Sequence, residues 1–216
     1  MKYSGIVPSD WELAKPPILT DSAAQVIFEN SISITAQVNR IIFTELIAIK
    51  EARDVEIPAL ACKYLKTLAQ VDYEGVSINF RGHVFFNEQN NTARSYIFGT
   101  LLNPGPWHEF GKAPVQATMR FGYTLEGANM SLDINQGGLQ MPDQTVQPIV
   151  LFTATFNHAI VEEEQSQRLA VLSEIISNWR TDIEAYKELV NTKFLNSPYQ
   201  LNIVSNESLI GTATTF

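Results

Sequence analysis

Two hydrophobic rhythms run along the chain. Between residues 161 and 194, Leu169, Leu172, Ile176, Trp179, Ile183, Tyr186 and Val190 recur at alternating steps of three and four. That spacing lays them on one face of an α-helix. A helix over this span would be on the order of 40 Å long. Ile175, Leu189 and Phe194 widen the stripe beyond a coiled-coil seam, a width that suits burial against a sheet. A shorter helix is predicted over 55–71 (VEIPALACKYLKTLAQV), with Pro58 in its first turn.

Elsewhere the period is two. Residues 24–29 (AQVIFE) predict a short strand. Over 31–50 two β segments are expected, bent at 38–40, although Glu45, Leu46 and Ala48 are also compatible with helix. YEGVSINFRGHVFFN (73–87) alternates as a strand, interrupted by Gly82 in the way a bulge or a close backbone approach would be. YIFGTLL (96–102) reads as strand, and NPGP (103–106) as a turn. PVQATMRFGYTL (114–125) and MSLDIN (130–135) predict a hairpin closed by EGAN (126–129). A polar loop is expected over 136–148, then a strand over 149–158. With no βαβ alternation, the fold class is α+β: a curved antiparallel sheet packed against a long C-terminal amphipathic helix and a shorter helix. The organisation expected is an irregular N-terminal arm (1–22), a single domain (23–195) and an extended or flexible tail (196–216), docked at 201–204.

Composition narrows the class more than the function. The 216 residues are 45% hydrophobic and 18% charged, a packed globular composition. The chain is acidic, with a net charge of −8 and scattered basic residues, which disfavours nucleic-acid binding. Cys62 is the one cysteine, so an internal disulfide is impossible; on its mostly apolar helix it reads as a small buried hydrophobe. Residues 1–17 carry no signal-peptide pattern and no 18-residue apolar run occurs, so a cytoplasmic protein without membrane insertion is expected.

Dinucleotide, P-loop, zincin, nucleophile-elbow and CxxC motifs are all missing. The sequence therefore implies no catalytic residue, no cofactor and no metal. His83, His108 and His158 are isolated, and Glu162, Glu163 and Glu164 after His158 read as first-turn acids complementing a helix dipole. Arg81, Arg120 and Asp133 alternate away from the apolar set of their strands. With Tyr123 they are candidates to line a ligand pocket, although Arg and Asp meeting across a sheet more often form a salt bridge. The loop 103–112 (NPGPWHEFGK) holds Trp107, His108 and Phe110 between turn-formers. Aromatic residues on loops are enriched at interface hot spots, so this trio is the candidate interaction surface; the alternative is that Trp107 folds back to plug an end of the sheet.

In VNRIIFTE (38–45), YEGVSINFRG (73–82) and LDIN (132–135) ahead of the long helix, the chain resembles an uncharacterised, sporadically distributed bacterial protein family of unknown function. The resemblance implies a bacterial α+β protein and carries no functional residues. The expected function is that of a non-enzymatic interaction protein in a bacterial complex, with a protein partner. The alternative is a small-ligand-binding protein, or a hydrolase or lyase, with its pocket between sheet and helix.

Overall fold

In the computed structural model, which describes every residue except 1–4, 48–49, 87–91, 196–198, 200, 204–208 and 211–216, the fold is α+β. The chain forms two compact units, each built from two segments. The first comprises Met1–Val76 and His158–Thr181, the second Ser77–Asn157 and Asp182–Phe216. Where one curved sheet was expected, there are two antiparallel sheets.

The first unit opens with an antiparallel meander, β1 (Ile18–Leu19), β2 (Ala23–Ile27), β3 (Ile32–Gln37) and β4 (Arg40–Glu45). Val38 and Asn39 make the connection between β3 and β4, resolving 31–50 in favour of two strands. Register pairs Val26 with Ile34 and Ile34 with Phe43, so alternate apolar side chains share one face. The arm is less irregular than its prolines suggest. It contributes β1, Leu13 bridges Phe28, and Ile6 and Val7 are buried while Trp11 packs edge-on against Phe28.

Helix α1 (Ile57–Thr67) has two apolar faces. Ile57, Leu60 and Tyr64 join the sheet core of Ile6, Val7, Phe28, Ile32 and Ile34. Ala61, Cys62 and Leu65 pack with Leu169, Leu172 and Ile176 of α3 (Gln165–Ser177). The thiol of Cys62, half-buried there, lies 3.7 Å from the Ser173 carbonyl. Glu45 supplies what the start of α1 lacks. Its wholly buried carboxylate accepts from the backbone N–H groups of Glu56 (2.8 Å) and Ile57 (2.9 Å), with Lys50 Nζ at 2.6 Å. A carboxylate from a neighbouring strand thus satisfies donors that every helix N-terminus leaves orphaned.

The second unit is a six-stranded sheet. β5 (Gly75–Phe85), whose first residues belong to the first unit, is flanked by β8 (Val146–Ala159) and β9 (Asn202–Ile203). β7 (Ala128–Gln140) follows β8, and β6 (Thr118–Leu125) and β10 (Leu209–Ile210) both pair with β7. The hairpin of β6 and β7 forms as expected, but the polar loop expected over 136–148 does not: β7 runs on to Gln140 and β8 begins at Val146. Gly137 and Gly138 read as loop-formers, yet they lie in strand because bare backbone lets β8 close over them. A Cβ at either would stand 2.7 Å from Leu151 or 2.5 Å from Val146.

Register on β7 and β8 pairs Met130 with Phe156, Leu132 with Ala154 and Ile134 with Phe152, giving a buried apolar face. Against it lies α4 (Trp179–Leu189), which enters this unit at Asp182. Its Tyr186 stacks on Phe80 and donates to the Phe152 carbonyl at 2.8 Å. The opposite face is polar: Ser77 donates to Asn157 and Thr155 to Asn79, each at 2.6 Å.

The single helix expected over 161–194 is interrupted. Asn178, at φ −90° and ψ 13°, separates α3 from α4, and a π-helical turn, Val190–Phe194, closes the run. Ser177 and Asn178 are poor helix formers because their side chains compete for backbone groups. Glu162, Glu163 and Glu164 precede α3 rather than filling its first turn; the carbonyls of Glu162 and Glu163 accept from Arg168. Of the expected tail dock, Asn202 and Ile203 pair with His83 and Gly82, while Val204 lies outside the described residues, as does Asn87 at the end of the strand expected over 73–87.

Candidate interaction surface

The loop that carries Trp107, His108 and Phe110 is anchored at its start by a short helix. Thr92 and Ser95 form a reciprocal capping box, with Ser95 N–H donating to Thr92 Oγ1 at 3.1 Å and Thr92 N–H donating to Ser95 Oγ at 2.7 Å. The chain then winds as α2 (Ala93–Ser95) into a wide π-helical turn, Tyr96–Leu101. This corrects the strand expected over 96–102. The apolar run is helical because the capping box nucleates a turn immediately before it, and Asn103–Gly105 ends it.

That turn buries Tyr96, Ile97 and Phe98. Tyr96 stacks on Phe86, donates to the Phe194 carbonyl at 2.7 Å, and has its phenol pushed up to about 12 by burial. Phe98 is the floor of the candidate surface. Arg94, one turn earlier, lays its guanidinium 4.4 Å from the Phe98 ring centre and donates to the Val115 carbonyl at 2.8 Å. The same arginine therefore ties down both the ring and the far end of the loop.

On this floor the 3₁₀ turn Pro106–Glu109 sets two more rings. His108 meets Phe98 edge-on with centroids 5.2 Å apart, and Trp107 lies 3.9 Å from His108. Gly105 makes room for the indole: a Cβ there would be 2.7 Å from Trp107 Nε1. His108 Nε2 is buried and has no hydrogen-bond partner among the described residues. Trp107 is 43% exposed, so it covers the turn on one side and faces solvent on the other; Phe110, just beyond, is 88% exposed. Of the three sequence candidates, Trp107 and His108 thus pack together over Phe98, while Phe110 follows them in the chain as an exposed side chain. Phe98 and Arg94, which support Trp107 and His108, carry no signal in the sequence because the apolar run 96–102 reads as strand.

The pocket candidates behave differently. Arg120 and Asp133 stand directly opposite each other on β6 and β7 and form a two-pronged ion pair, Nε–Oδ1 at 2.6 Å and Nη2–Oδ2 at 2.8 Å. Tyr123 is three residues beyond Arg120, which turns it to the other face, in register with Met130; partial burial raises its phenol. Arg81 lies on β5, separated from β7 by β8. Strand alternation alone keeps these four from lining one pocket. Among the described residues no three of His, Cys, Asp and Glu converge as metal ligands, and no helix is long and apolar enough to cross a membrane. Comparison with known proteins yields no relative: no family model, curated protein or solved structure matches the chain.

Proposed function

We propose that the chain is a non-enzymatic binding protein of a bacterial complex, docking a protein partner through the loop that carries Trp107, His108 and Phe110. The observation that carries this reading is Phe110, an aromatic side chain 88% exposed on a loop whose flanks are held by the Thr92–Ser95 capping box and the Arg94–Phe98 contact before it and the Arg94 bond to Val115 after it. A pre-ordered loop loses little conformational entropy on binding, and buried aromatic anchors carry most of the energy of interfaces. A ring left in water by the folded chain contributes little to folding, so its removal separates binding from stability.

Phe110→Ser is expected to change unfolding free energy by no more than about 0.5 kcal/mol. In affinity capture from the cells of origin, it is expected to lower recovery of the wild-type partner at least roughly tenfold, the effect of losing a modest hot spot. Equal recovery by both proteins, or no protein recovered by either, contradicts the reading.

A further inference from the structure

Among the described residues, nothing pairs with the outer edge of the strand β6 in the second unit's sheet. Among the described residues β6 pairs only with β7, in continuous register from Thr118 to Leu125. Its connection to β7 is the two-residue turn Glu126–Gly127, which makes Leu125 and Ala128 a hydrogen-bonded pair. Alternation then turns the N–H and C=O groups of Thr118, Arg120, Gly122 and Thr124 outward. Proteins commonly guard such edges with proline, lysine or a bulge. β6 has none of these, and its one charge, Arg120, is already paired with Asp133.

We infer that β6 is a homodimer edge, pairing antiparallel with β6 of a second copy about a two-fold axis at Gly122. In that register Gly122 faces Gly122 of the second copy, Phe121 faces Tyr123, and Arg120 faces Thr124. Phe121 and Tyr123 lie on the apolar face, in register with Leu132 and Met130, so the junction gains two cross-strand aromatic pairs. The charges select this register over its neighbours. Here Arg120 is diagonal to Glu126 of the second copy. Centring on Phe121 instead makes the two Arg120 guanidinium groups diagonal neighbours, and centring on Tyr123 shortens the paired strand. The pairing is isologous, so it closes at two copies. It is independent of the aromatic loop.

Gly122 also supplies the test, since nothing lies within 4 Å of a Cβ built there and its φ is not positive. One strand edge is a small interface, so dissociation on the order of 1–100 μM is expected, read by sedimentation velocity over that range. The wild-type mass should rise from 24.2 kDa toward twice that value. Gly122→Glu and Gly122→Lys each set like charges against each other at the axis and should stay monomeric, with circular dichroism like wild type. An equimolar mixture of the two variants should dimerise again. A wild type that remains monomeric throughout, a Gly122→Glu protein that dimerises like wild type, or a mixture that fails to associate would each overturn the inference.

Discussion

An aspartate in place of Ile183 is expected to unfold the second unit, while Ile183→Val leaves it folded. Ile183 is 5% exposed on α4, one turn before Tyr186, whose ring stacks on Phe80 and whose hydroxyl donates to the Phe152 carbonyl. Aspartate there forfeits the burial of a large aliphatic side chain and leaves a carboxylate without a partner in an apolar layer. The combined loss is about 4 kcal/mol or more, a large fraction of the roughly 5–15 kcal/mol that holds a domain together. Valine removes one methylene, at about 0.5–1.5 kcal/mol. Near-UV circular dichroism and thermal unfolding distinguish the two. A soluble Ile183→Asp protein with wild-type near-UV signal contradicts the placement of α4's apolar stripe against the sheet.

Glu45→Ala is expected to destabilise the first unit by about 2–3 kcal/mol, and Glu45→Gln by about 1 kcal/mol. Alanine leaves the N–H groups of Glu56 and Ile57 without their acceptor at the start of α1. Glutamine keeps an acceptor oxygen but loses the charge that favours a helix N-terminus and faces Lys50. Lys50 also lies 3.7 Å from Glu56, so it is not stranded in either variant. Denaturant unfolding gives the values directly. Equal stability of wild type and Glu45→Ala would show that water serves those donors as well as the carboxylate does.

The pattern of apolar residues foretells this fold wherever one side of an element is buried and the other is wet. β6 and the first part of β7, β8 and α1 follow from it, as does the division of 31–50 into two strands. Gly82 was legible too: its break in the alternation marks a close approach, since a Cβ there would stand 2.9 Å from both the Asn202 carbonyl and the Tyr186 hydroxyl. The failures share a cause in tertiary context. Gly137 and Gly138 look like loop until the facing strand's side chains are known to fill the space their missing Cβ atoms leave. YIFGTLL looks like strand until the Thr92–Ser95 box turns it helical.

The long apolar stripe of 169–190 spans both units. Its seven residues are periodic throughout, yet Leu172 and Ile176 serve the core of the first unit while Tyr186 and Val190 serve the second. Periodicity reports that a face is covered, not by what. Because each unit is assembled from two separate segments, no composition shift along the chain could mark the boundary. The candidate surface was half legible on the same terms. Trp107, His108 and Phe110 announce themselves by being aromatic among turn-formers, whereas Phe98 and Arg94 become relevant only once the preceding turn is helical.

Site-specific photo-crosslinking in the cells of origin decides whether Phe110 faces a protein partner, as proposed. A photoreactive phenylalanine analogue is placed at position 110 and, as a control, at Val38, which is 92% exposed in the turn between β3 and β4. A discrete crosslinked species heavier than the chain is expected from position 110, absent from position 38 and lost when Trp107→Ala is added. The same products from both positions, or none from position 110, would contradict the proposal.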